Sequence, residues 1–230
     1  MPTESPLNPL PLIVWLLALP IIASEVLFGL GQLGFIGGAE GVGLRLSAIR
    51  LTAFPPEWAQ RIWQYGSFDS SAAYRIVSFS FVHMNFTHAL FVAVFTLALG
   101  NMIAQQFRPW AVAVLFFGSA IGGALIYSAL IPMLAVQFSP LIGGYPAVYG
   151  LVGAFTFLLW ARLGMENANR MRAFVLIGTL LSLQLVFGML YGAMGFGWIA
   201  EIAGFFVGFG LSFVLVDGGI GRVMRQIRSR

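Results

Sequence analysis

The stretch from Trp110 to Ala161, WAVAVLFFGSAIGGALIYSALIPMLAVQFSPLIGGYPAVYGLVGAFTFLLWA, contains no Asp, Glu, Lys or Arg. A membrane-crossing helix needs about 20 mostly apolar residues, so this run is too long for one helix and right for two. Pro132, Ser139 and Pro140 supply turn chemistry, which places the break near Ile131 to Pro140. Before this run, a further span covers roughly Asn85 to Ala104. After it, Ala173 to Val216 carries Glu201 as its only charge and again has room for two spans, parted near Tyr191 to Gly197. The first candidate runs from about Leu10 to Phe35, with Pro11 and Pro20 inside it and Glu25 as its only charge. The N-terminus, MPTESPLNPLPLIVW, lacks the basic region of a secretory signal, so its apolar run is expected to be a retained helix. The expected fold class is an all-α membrane protein, a bundle of six transmembrane helices.

Composition leads to the same conclusion. The 230 residues are 59% hydrophobic and 9% charged, where a soluble domain carries about 25% charged residues. So few charges cannot cover a water-facing surface, and the first partner implied is the lipid bilayer. The length fits a single domain over 1–230, with a first loop of about 37–75 and a short C-terminal tail of about 217–230. All 12 basic residues are Arg and the net charge is +4. The arginines are scattered among loops and tail, which excludes a nucleic-acid footprint. With no Cys there is no disulfide, thiolate nucleophile or thiolate metal site.

With six spans, one side receives Arg108, Arg162, Arg170, Arg172, Arg222, Arg225, Arg228 and Arg230, and the other Arg45, Arg50, Arg61 and Arg75. The positive-inside rule places the larger group and both termini in the cytoplasm. The expected location is a bacterial inner (cytoplasmic) membrane, crossed several times. Within the first loop, Pro55 to Gln64 puts Trp58, Ile62 and Trp63 on one side of a short helix. That stripe suits either the headgroup region or packing on the protein itself.

An ionised side chain at the bilayer centre costs on the order of 2.5–3.5 kcal/mol on insertion scales, so intramembrane polar groups mark candidate sites. Glu201 is followed by Gly204 and Gly208. These offsets put all three on one helix face, where glycines let a neighbouring backbone approach. Glu201 is therefore expected to face the bundle, either as a hydrogen-bonded structural carboxyl or as part of a site. Glu25 has no such glycine frame, and a structural or membrane-edge role is expected for it. His83 and His88 would not share a helix face unless His83 lies in the turn before the helix. Metal-binding pairs prefer spacings of three or four, so no metal is expected there. In GGYPAVYG, Gly143 and Gly144 allow an irregular loop, Pro146 suits a first helical turn, and Tyr149 continues into the span. Such backbone inside a membrane must be buried in protein or line a wet cavity.

Together these pieces resemble the rhomboid family of intramembrane serine proteases over nearly the whole chain. That family has six core helices and a long first loop with an amphipathic helix and a Trp-Arg pair, whose place Tyr74-Arg75 takes here. Its second helix begins His-x4-His-x3-Asn. The resemblance puts His83 and His88 on the histidines, as remnants of the oxyanion-binding side, and Val92 on the Asn. Its fourth helix begins Gly-x-Ser-Gly with a Tyr three residues on. Gly143 and Tyr149 match, Tyr145 stands in the place of the nucleophile and Pro146 in that of the next Gly. Its sixth helix has Ala-His-x-x-Gly-x-x-x-Gly. Ala200, Gly204 and Gly208 match, and Glu201 stands where the catalytic His belongs. Arg75, Gly143, Gly144, Pro146, Tyr149, Gly204 and Gly208 are then expected to serve structure and helix packing.

A rhomboid hydrolyses a peptide bond with a Ser hydroxyl activated by a His base. Tyr145 offers a bulky phenol of pKa about 10, whose acyl ester is a good leaving group. Glu201 cannot act as the imidazole, and loss of a nucleophile–base unit costs on the order of a millionfold in turnover. The resemblance therefore implies a pseudoprotease with no catalytic residues and no cofactor. Such a module would bind or escort other transmembrane proteins, as inactive relatives do, or form a subunit of a membrane complex. The alternative is an active serine endopeptidase of the rhomboid type with a displaced nucleophile; Ser78, Ser80 and Ser139 are present, but none has a histidine partner implied by the pattern. A transporter would need paired charges or broken helices at the midplane, and Glu25 and Glu201 are too few and are expected to be unpaired. Tyr145 and Glu201 are expected to touch and hydrogen-bond each other, in a smaller and drier cavity than the family's.

Overall fold

In lipid every backbone N–H and C=O must find a partner within the protein, which leaves the helix as the element for these apolar runs. The computed structural model describes residues 10–66, 73–130, 133, 139–191 and 196–216, and these are helical without a strand. Helix α1 spans Leu12–Gln32; the first loop carries a 3₁₀ segment at Gly38–Gly43 and helices α2 (Leu44–Thr52), α3 (Glu57–Tyr65) and α4 (Arg75–Ser78), the last running into a 3₁₀ turn at Phe79–Phe81. Then follow α5 (Phe86–Ala104), α6 (Pro109–Leu130), α7 (Tyr145–Met165), a 3₁₀ segment at Arg170–Phe174, α8 (Val175–Tyr191) and α9 (Trp198–Leu215).

Among the described residues five helices (α1, α5, α6, α7 and α9) are 18 residues or longer and apolar enough to cross a membrane. The sixth, α8, has 17 residues, about 25 Å at 1.5 Å per residue, at the short end of what a hydrocarbon core of about 30 Å requires. The chain is an integral, multi-pass, all-helical membrane protein, as its composition requires. Boundaries differ in detail from the sequence reading. Pro11 is the residue before α1 and not inside it, while Pro20 is internal. Most of the expected break at 131–140, part of the one at 191–197, and the tail from 217 on lie outside the described residues.

Local chemistry accounts for the helix starts. The Asn85 side chain accepts the His88 N–H at 2.9 Å and caps α5. Pro109 opens α6, and Pro146 sits in the first turn of α7, where a missing N–H costs nothing.

Helix α7 is the buried centre of the bundle. It packs most extensively on α9, and α6 lies against both. The contact between α7 and α9 is backbone on backbone. A β-carbon on Gly204 would overlap Pro146, one on Gly208 would overlap Gly150, and one on Gly153 would overlap the Phe205 carbonyl. On α6, a β-carbon on Gly123 would stand 2.5 Å from the Ala200 oxygen. These close approaches hold α9, and with it Glu201, against the start of α7.

The first loop is tied down at several points. Phe54 and Leu141 exchange both backbone hydrogen bonds, at 3.0 and 2.9 Å. Ser128 of α6 donates to the Pro56 carbonyl. Trp58 meets the buried Phe54 edge-on at 6.0 Å and so packs on the protein, while the Trp63 side chain lies outside the described residues.

The glycine contacts predict a contrast within α9. Gly208→Ala forces a methyl group into the Gly150 backbone, and its cost should be about 1–3 kcal/mol. Gly210→Ala meets nothing within 4 Å and should be neutral or stabilising by up to about 1 kcal/mol. Thermal unfolding of the two variants in mild detergent measures the difference.

Candidate functional site

The site begins with the turn before α5. His83 lies outside the helix, in the extended segment between Phe81 and Asn85, and is fully buried. Its Nε2 accepts the backbone N–H of Gly144 at 3.1 Å. An accepting Nε2 carries no proton, so the neutral ring holds its proton on Nδ1. Burial, and then the charges of His88 and Arg45, pull the His83 pKa down to about 3 and keep the ring neutral.

Because His83 is in the turn and His88 is in α5, the two rings meet edge to face with centroids 4.9 Å apart. Placing one histidine in the turn and the other in the helix is how a spacing of five brings these two together. Gly143 is held at φ +94, and a β-carbon there would stand 2.5–2.6 Å from His88 ring atoms. Only glycine fits, by both conformation and space. Its N–H donates to the Phe79 carbonyl at 2.8 Å. Val92 is fully buried, and a β-carbon on Gly144 would stand 2.8 Å from its Cγ1.

Tyr145, the first residue of α7, stacks its ring on His88 at 4.5 Å and 19°. It meets Tyr149 edge-on at 6.4 Å. The Tyr149 hydroxyl donates to Gln184 Oε1 at 3.2 Å, and Gln184 Nε2 donates to Glu201 Oε2 at 2.6 Å. Glu201 is buried. The candidate residues thus form one continuous path: His83, His88, Tyr145, Tyr149, Gln184, Glu201. Arg75 lies apart on α4, with its Nε buried and without a hydrogen-bond partner. Among the described residues no three His, Asp or Glu side chains are placed to hold a metal.

Two expectations about contacts are corrected. Tyr145 and Glu201 make no hydrogen bond to each other: Gln184 of α8 donates to Glu201 Oε2, and the Tyr145 ring is stacked on His88. Glu25 is not unpaired, since both its oxygens accept from Arg45, at 2.7 and 2.8 Å, which gives it the structural role of the two expected. Gln184 and Arg45 are the residues that sequence reasoning missed. Gln184 carries the only side-chain amide between Ala173 and Val216, a signal of the same kind as the buried carboxyls. Arg45 was available as a cation for Glu25, but only the folded first loop brings it back to α1.

A helical membrane bundle whose fourth long helix starts at a buried glycine turn, facing two histidines, and packs through glycines on its last helix defines a class. The sequence matches the Rhomboid domain family over residues 70–218, from the end of the first loop to the end of α9. The chain belongs to the rhomboid family. No match was found among curated proteins.

The network predicts how substitutions should behave. Gln184→Leu removes the donor to Glu201 and the acceptor of Tyr149, and should cost about 1–3 kcal/mol of stability. Tyr149→Phe should cost about 1 kcal/mol. Tyr145→Phe keeps the His88 stack and should stay within about 0.5 kcal/mol. Gln184→Leu combined with Glu201→Leu should be milder than the sum of the single changes. Thermal melts of this cycle are the check; additive effects would separate the two side chains.

Proposed function

We propose that this protein is a non-catalytic rhomboid that binds or escorts other transmembrane proteins, or serves as a subunit of a membrane complex. The observation that carries the reading is the occupancy of the two positions that resemble the family's dyad. Tyr145 lies face to face with His88, and Glu201 is engaged by Gln184. Neither position offers an activated hydroxyl beside an imidazole base, and serine protease turnover rests on that unit acting together. His88, the remaining histidine of the oxyanion side, has a buried Nε2 without a hydrogen-bond partner and a tyrosine ring across its face. Ser80 is fully buried and has no base in hydrogen-bond contact.

Other transmembrane helices are the proposed partners. Helix α8 rests chiefly on α7 and on the Arg170–Phe174 turn, and it exposes Val175, Leu183 and Val186. Helix α5 exposes Phe86, Leu90, Phe91 and Val94. A helix beside the site with an apolar outer face is what lateral entry of a client helix would use. The same reading makes 1–230 one domain. Its arginine bias puts both termini in the cytoplasm of a bacterial inner membrane.

The test has two arms. Purified protein in lipid nanodiscs should leave a transmembrane rhomboid substrate uncut and should take no label from a serine-directed fluorophosphonate. Specific labelling that disappears in Ser80→Ala or Ser139→Ala would overturn the non-catalytic reading. Photocrosslinkers at Leu90 and Leu183 should capture a transmembrane protein that a crosslinker at Leu16, exposed on α1, does not. Equal capture at all three positions would overturn the client reading.

A further inference from the structure

The paired charges Glu25 and Arg45 lie outside the motifs quoted above. Glu25 is on α1 and Arg45 is on α2 of the first loop, and their side chains are only 8% and 15% exposed. Arg45 Nη1 and Nη2 donate to Glu25 Oε1 and Oε2 at 2.7 and 2.8 Å. The same Nη1 donates to the backbone carbonyl of His83 at 3.0 Å, and the guanidinium lies 4.8 Å above the Phe28 ring. One planar fork therefore joins α1, the first loop and the His83 turn. The His83 ring in turn holds the Gly144 amide at the mouth of α7.

We propose that Arg45, clamped by Glu25, is a positioning residue that fixes the His83 turn so that the imidazole meets the Gly144 amide. The first loop is thereby coupled to the glycine turn that opens α7. The proposal rests on this geometry and holds whether or not the protein cleaves anything.

Three features carry it. Arg45 makes three hydrogen bonds in two directions, which a guanidinium fork can satisfy and an ammonium cannot match. The His83 carbonyl and the His83 ring belong to one residue, so fixing the first limits where the second can point. The Gly144 N–H is buried backbone at a helix entry, where loss of its acceptor cannot be made good by lipid. The titratable groups around the His83 ring are Arg45 from α2, Glu25 from α1, His88 from α5 and Tyr145 from α7, the last through its stack on His88.

The chain has two histidines, so a histidine-specific ¹⁵N label gives a spectrum simple enough to test this directly, with His88→Gln as the assignment variant. In the wild type His83 should be a single Nδ1–H tautomer that does not titrate between about pH 5 and about pH 8. In Arg45→Gln the ring should average between tautomers and titrate nearer the ordinary value of about 6.5. The Gly144 amide should then exchange at least about tenfold faster. Glu25→Gln should shift both readouts the same way, and the double variant should add little to either single one. Arg45→Lys should fall in between, and Arg61→Gln, exposed on α3, should leave both readouts unchanged. A folded Arg45→Gln protein with the wild-type His83 spectrum and Gly144 exchange would overturn the proposal. If Arg45→Gln does not fold, wild-type spectra in both Arg45→Lys and Glu25→Gln would overturn it. So would unfolding of all three variants, which would make the pair a general stability element.

Discussion

The backbone between Leu141 and Tyr145 cannot be helical, yet it lies inside a bundle whose solvent is lipid, where each unpaired N–H costs several kcal/mol. Two acceptors meet that requirement. The Phe79 carbonyl takes the Gly143 N–H, and the His83 ring takes the Gly144 N–H. Both acceptors come from the segment between the first loop and α5, which therefore has to sit against the start of α7. The rest of the site follows from this arrangement. With Gly143 at φ +94, the turn passes against the His88 ring without a side chain in the way, and Tyr145 emerges where it can stack on that ring.

The other end of the site is set by glycines. Gly204 and Gly208 bring the α9 backbone onto Pro146 and Gly150, so Glu201 has to lie in the protein interior beside the start of α7. A carboxyl placed there needs a partner, and α8 supplies Gln184. The result is a framework of glycines and histidines around a centre where Tyr145 stacks on His88 and Gln184 donates to Glu201. Under the proposed non-catalytic reading, this stacking and this amide–carboxyl bond take the place that a hydroxyl and an imidazole would need to be free. Under that reading the site still shapes a surface for another helix, because that use depends on packing and not on proton transfer.

Some of this was legible in the residues alone. Apolar run length gave the helices within a few residues at α5, α6 and α7, because lipid leaves the backbone no other solution. The misses have physical reasons. The run from Leu10 includes Pro11, but a proline is tolerated just before or at a helix start, so the helix begins at Leu12, two residues later. Tyr145 was paired with Glu201 because both sit at motif positions that face one cavity. Ring orientation and the reach of Gln184 decided otherwise, and neither is a property of spacing. Spacing leaves Arg45 as a loop charge, because only the folded loop brings it to the carboxyl on α1.

What the sequence by itself determined is the environment, the class of fold and the identity of the framework residues, since each depends on composition or on short-range spacing. Sparse charge requires lipid, and period and length require helices. A glycine three residues after Glu201 and another four further on require a close neighbour on that face. Only the tertiary structure decided who partners whom. The Glu25–Arg45 pair, the two histidines in edge contact, and the path from Tyr149 through Gln184 to Glu201 all join residues on different helices or loops. Their meeting depends on the angle and depth at which whole elements pack, which no local pattern encodes.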